Sequence, residues 1–175
     1  MSRPTENEKP RTQSRYTAVR ADAPRRPDGL VGVFATLAEQ HAQVAAMFAQ
    51  IQGEPARRAA LWPALRRQLV SHEHAEVREL YPQLRQYSQT AAFAEQHDAE
   101  ARMLDGLIQR LDTTPPASAE WGAVFEQLVT TVLHHAKDEE EQQIFPAAQQ
   151  VLGEAMAIEL DAKLRDAQAK LALAH

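Results

Sequence analysis

Four stretches of this chain repeat apolar residues at three- and four-residue intervals, and each carries one histidine on that stripe. Such intervals mark one face of a helix. Over residues 29–52 the stripe is Leu30, Phe34, Leu37, His41, Ala45 and Phe48. Over 55–87 it is Leu65, Leu69, His72, Glu76 and Leu80, and a third runs Phe93, His97, Ala101, Leu104, Ile108 and Leu111. Over 119–151, Trp121, Phe125, Leu128 and Val132 lead to His135. Gly53 closes the first stretch and Pro55 opens the second. Pro63 and Pro82 fall inside the second, which predicts a kink or a late start. Ser88 or Thr90 is placed to cap the third. Residues 112–118, with Pro115 and Pro116, break the chain, and Gly153 stops the fourth helix. A fifth helix, 154–173, has a weaker stripe and is expected to pack outside the other four. The fold class that follows is all-α: an up-down-up-down four-helix bundle (29–152) with an additional C-terminal helix (153–175). At 1.5 Å per residue, antiparallel helices place the four histidines roughly 14–24 Å from a common end, compatible with one layer.

Composition narrows the chemistry. The 175 residues contain no cysteine, which excludes disulfides, thiolate metal sites, iron–sulfur clusters and thiol nucleophiles. No apolar run is long enough to span a membrane, and the N-terminus lacks the apolar core of a secretory signal. A net charge of −5 argues against nucleic-acid binding. The expected location is cytoplasmic. Residues 1–28 hold seven basic residues against four acidic ones, four of the ten prolines and almost no large apolar side chains. They read as a flexible, disordered basic arm, a solvated tail whose alternative use is contact with an acidic partner.

One core histidine is ordinarily a hydrogen-bonded core residue. Four in one layer leave several ring nitrogens buried and unpaired, at about 1–3 kcal/mol each, unless a ligand takes them. Imidazole is a common ligand for zinc and iron, and a bundle core is a usual place to hold metal. Glu76 lies on the face of His72 at i+4, where a buried carboxylate needs a compensating charge. In the segment His134–His135–Ala136–Lys137–Asp138–Glu139–Glu140, His135 points inward and His134 is peripheral. Glu139 is the plain i+4 partner of His135, but that register turns Gln143, Pro146 and Gln150 toward the core. One extra residue, a π-bulge, instead brings Glu140, Ile144, Ala147 and Val151 onto the His135 face. The apolar pattern selects Glu140, with Glu139 as the fallback. His74 faces solvent, and His175 is expected to be disordered.

His41, then His72-x-x-x-Glu76 leading into Leu80–Tyr81–Pro82, then His97, then His135 with an acidic residue leading into Ile144–Phe145–Pro146, resembles the hemerythrin-like (HHE cation-binding) domain over residues 29–151. The resemblance implies a four-helix bundle with a non-heme di-iron centre of two iron ions. Its histidines, His41, His72, His97 and His135, would ligate terminally, and Glu76 and Glu140 would bridge. It further implies binding of dioxygen or a related small oxidant at an open position. The best-known oxygen carriers have a further histidine one turn after the third-helix ligand, where this chain has Ala101. Water, Glu73, Glu100 or a more open iron would fill that place. The departure weakens reversible oxygen carriage and leaves room for sensing, iron storage or reaction with peroxide or nitric oxide. A metal- and oxygen-binding protein is favoured over an enzyme; a metal-free interaction bundle is the alternative. Ferritin-like oxidases need Glu-x-x-His, which is absent here. His72–Glu73–His74 does not provide a zinc hydrolase set.

Overall fold

The computed structural model describes residues 23–173, where every long element is helical and the one β feature is an isolated bridge between Arg25 and Val31. Most of the predicted arm (1–22) and His175 lie outside the described residues. Residues 24–32 fold back on themselves: Gly32 N–H donates to the Pro24 carbonyl and Arg26 N–H to the Leu30 carbonyl, each at 2.9 Å.

Helix α1 is Val33–Gly53. It begins after Gly32, whose φ of 60° is left-handed, and a Cβ there would stand 2.4 Å from the Ala157 carbonyl oxygen. Glycine alone gives both the dihedral and the close approach. Gly32→Ala is therefore expected to destabilise the fold by about 2–4 kcal/mol. Urea denaturation checks this, and an unchanged midpoint would refute it.

The second run opens with a 3-10 turn, Pro55–Arg57, and continues as α2 (Arg58–Ala75), with Pro63 inside it. It then passes through a π segment, Glu76–Leu80, and ends as α3 (Tyr81–Leu84). Helix α4 is Ala91–Thr113. The side-chain cap expected from Ser88 or Thr90 does not form. Thr90 holds the N-cap position, but its hydroxyl donates back to the Leu84 carbonyl at 2.7 Å, closing the tight turn instead. Helix α5 (Ala119–Leu133) is capped by Ser118, whose hydroxyl oxygen accepts the Trp121 N–H at 3.1 Å. An 11-residue π segment, His134–Ile144, leads into α6 (Phe145–Leu173), which breaks at Gly153 (φ 75°, ψ 164°).

The sequence pattern predicts a bulge in the fourth run only; the second run has one too. Each π segment ends two residues before a proline, Pro82 or Pro146. In both, a carbonyl accepts from the N–H five residues on, the π pattern: Tyr81 N–H bonds the Glu76 carbonyl, and Phe145 N–H the Glu140 carbonyl.

Two apolar clusters fill the interior. One joins Val33, Phe34 and Leu37 to Leu80, Leu84, Ala94, Phe145 and Ala148. The other joins Phe48 and Ile51 to Trp62, Leu65, Leu111, Trp121 and Phe125. In each of the four runs the histidine falls in sequence between members of the two clusters, so the polar layer is sandwiched by apolar ones. Beyond Gly153, Ala157, Leu160, Leu164 and Ala167 join the first cluster rather than standing apart from the core. Buried Asp161 fastens this segment to α1: it accepts the Thr36 hydroxyl at 2.6 Å, and Arg165 bonds both Asp161 and Thr36.

Candidate metal centre

Two groups of side chains place ligand atoms within 4.8 Å of one another: His41, His72, Glu76 and Glu140, and Glu73, Glu76, His97 and His135. Glu76 belongs to both. All six residues singled out in the sequence thus meet in one layer, supplied by α1, α2, α4 and the two π segments. Glu140 is fully buried, its Oε2 3.1 Å from His41 Nε2 and its Oε1 3.5 Å from His135 Nε2. Glu139 stays outside this layer. It accepts from Gln96 at 3.0 Å and joins a third, half-buried group with Glu100 and His135. His134 and His74 are both solvent-facing, the former paired with Asp138 at 2.9 Å.

Glu73 is the residue the six-membered set lacks. It is buried beside His72, with Oε1 3.3 Å from His97 Nε2. The signal for it was indirect: Ala101 leaves a gap on α4, and Glu73 was one of the groups able to fill it. Tyr81 gave no signal as a polar partner. Its hydroxyl donates to Glu140 Oε1 at 2.5 Å, while its ring stacks on His97 with centroids 3.5 Å apart.

Surrounding side chains orient the imidazoles. His41 Nδ1 lies 3.0 Å from Glu141, His72 Nδ1 2.8 Å from Gln40, and His135 Nδ1 2.9 Å from Glu100. Each therefore has its Nε2 left for the interior, where His41 and His72 Nε2 stand 3.2 Å apart. Partners of this kind fix the tautomer and ring orientation of a metal-binding histidine.

Burial disfavours charge here, and the groups divide accordingly. It pushes His72 down to about 3, helped by neighbouring His41, and His97 down to about 4. Both rings are neutral at pH 7. Burial also opposes charge on His41, but the adjacent carboxylates of Glu140 and Glu141 outweigh it and raise that ring to about 9. Glu73 is pushed up to about 8 by burial and by Glu76, and Glu76 well above the usual range by burial and by Glu140. For Glu140 burial is overcome by His135 and His41, which hold it ionised.

Eight buried side-chain polar atoms lack a hydrogen-bond partner among the described residues, and seven belong to this layer. They are Glu73 Oε1, both Glu76 oxygens, both His97 nitrogens, His135 Nε2 and Glu140 Oε2; Arg58 Nε is the eighth. Several stand 3.1–3.5 Å from a complementary group without hydrogen-bond alignment. Leaving so many buried donors and acceptors unmade is costly. A cation between them would satisfy most of them, taking one ring nitrogen of each histidine, and a mixed imidazole and carboxylate set suits a first-row divalent metal.

The structure is an all-helical protein with a buried layer of histidine and glutamate that could hold a cation. The model of the hemerythrin HHE cation-binding domain matches residues 33–148, and the chain belongs to that family. No curated protein and no solved structure matches it.

Proposed function

We propose that this chain holds two iron ions in a non-heme di-iron centre and uses them to bind dioxygen or a related small oxidant. The observation that carries the reading is the pair of ligand groups sharing Glu76, whose residues hold seven buried polar atoms without a hydrogen-bond partner. His41 and His72 would hold one ion. His97, His135 and Glu73 would hold the other, with Glu76 and Glu140 between them. Bound there, iron would supply the electrons that an oxidant takes up, chemistry that no side chain of this layer offers.

The chain's own residues do the rest. Glu141, Gln40 and Glu100 orient three of the rings, and the Tyr81 hydroxyl fixes Glu140. Phe34, Leu37, Phe48, Leu69, Phe145 and Ile144 exclude water. Enzymatic turnover of peroxide or nitric oxide is the second reading, favoured by the buried Tyr81 hydroxyl, whose oxygen donates to Glu140 Oε1 at 2.5 Å. An up-down-up-down bundle over 29–152, carrying 153–175 as a docked helix, fits the shared clusters. The end of α1, the start of α2, the end of α4 and the start of α5 meet in one of them.

Metal analysis of freshly purified protein, with absorption spectra before and after air reaches the reduced form, tests the proposal. About two irons per chain and new near-ultraviolet and visible bands on oxygenation are expected. Failure to take up iron under reducing conditions would overturn it.

Metal loading is also expected to release protons. His41 and Glu73 both carry one at neutral pH, and ligands must shed theirs. At pH 7 loading releases at least about two protons per chain, and affinity falls as pH is lowered from about 9 to 6. Titration in weakly buffered solution with a pH indicator measures this; pH-independent binding would contradict it.

A further inference from the structure

Beside the histidine layer a cavity of about 270 Å³ opens to the surface between α4 and α5. Its inner end touches His41, His72 and Glu73, and its walls are almost entirely apolar. Val44, Leu69, Leu104, Val132 and Leu133 form those walls, and Met103, one of the two exposed large hydrophobics among the described residues, stands among the lining groups. The cavity exists because Ala101 is small: a bulkier side chain at that position of α4 would project into it.

A diatomic oxidant needs only a small fraction of such a space. An apolar cavity of about 150 Å³ suffices for benzene. Charge narrows the class of ligand further. Glu73, Glu100 and Glu139 all line the cavity, the last two half-buried beside His135 Nδ1, so an anion seated there meets three carboxylates.

We propose that this cavity binds a neutral, apolar organic molecule of about bicyclic-arene size, seated against the metal-binding layer. The proposal rests on the di-iron reading only for what the molecule meets at its inner end; the apolar walls and the acidic lining stand without it.

Equilibrium dialysis of naphthalene against the full chain as purified, with 2-naphthoate as the anionic comparator, tests it. Metal content is measured on the same samples. One equivalent of naphthalene is expected to bind saturably, with 2-naphthoate at least about ten-fold weaker. Ala101→Phe and Val132→Phe, which fill the space from opposite helices, are each expected to abolish naphthalene binding while leaving metal content at the parent level. Circular dichroism identifies a variant that fails to fold, and the other then decides. No saturable naphthalene binding, binding unchanged in a folded filled variant, or 2-naphthoate binding as tight as naphthalene would each overturn the proposal. Absence of iron from the full chain, with naphthalene still binding saturably, would instead refute the di-iron reading and leave this one standing.

Discussion

Glu76→Ala is expected to reduce metal content from about two ions per chain to below about half an ion, the largest loss of any single substitution in the layer. Glu76 is fully buried, neither of its oxygens has a hydrogen-bond partner, and it alone stands in both four-residue groups. His41 belongs to one group only, so His41→Ala should retain about one ion. The same logic separates the adjacent acids on the fourth run. Glu140→Ala removes a carboxylate lying 3.1 Å from His41 and within 3.5 Å of His135, and should lower metal content sharply. Glu139→Ala removes a partner of Gln96 and should leave metal content at the parent level. Elemental analysis of each variant, with circular dichroism to verify the fold, provides the measurement. Glu76→Gln keeps the side-chain volume and so separates loss of the carboxylate from loss of packing. Full occupancy in both Glu76 variants would sink the ligand assignment.

Much of this layer is legible in the sequence because the helical stripe is a strong signal. A histidine in phase with Phe34, Leu37 and Phe48 has one direction to point, and the same holds for His97 among Leu104, Ile108 and Leu111. Glu140 was legible for a subtler reason: the apolar residues downstream of His135 go out of phase with an unbroken helix. Even so, one inserted residue understates the rotation. Eleven residues of π ladder turn the face as far as Phe145 and Ala148, both fully buried, while Ala147 and Val151 are half-buried. The bulge at Glu76–Leu80 left no comparable trace, since too few apolar residues follow it before the run ends at Leu84. Glu73 and Tyr81 were hidden by geometry. Glu73 sits one residue from His72, about 100° round the helix, and reaches the site only because His97 on α4 lies opposite. The Tyr81–Glu140 bond spans 59 residues, and no local pattern encodes a contact of that kind.

Stripping the metal is expected to lower Tm by roughly 8–16 °C. A ligand at about a thousand times its Kd stabilises the folded state by about 4.1 kcal/mol, and a domain of this size gains about 2–4 °C per kcal/mol. The structural reason lies in the sandwich of clusters. The Val33–Phe34–Phe145 cluster and the Phe48–Trp62–Trp121 cluster each close without help from the layer between them. That layer alone holds four imidazoles and three carboxylates away from water, with seven of their polar atoms unpaired. Metal removal should therefore loosen the middle of the bundle while its ends persist. Hydrogen exchange would register this as lost protection around His72, His97 and the two π segments, before the amides near Phe48 or Trp121 respond. Scanning calorimetry before and after chelation, followed by ferrous reconstitution under reducing conditions, measures the shift and its recovery. An unchanged Tm would mean that the histidine layer satisfies itself without a cation. The chain would then keep its family's fold but not its chemistry, and the metal-free interaction bundle would become the better reading.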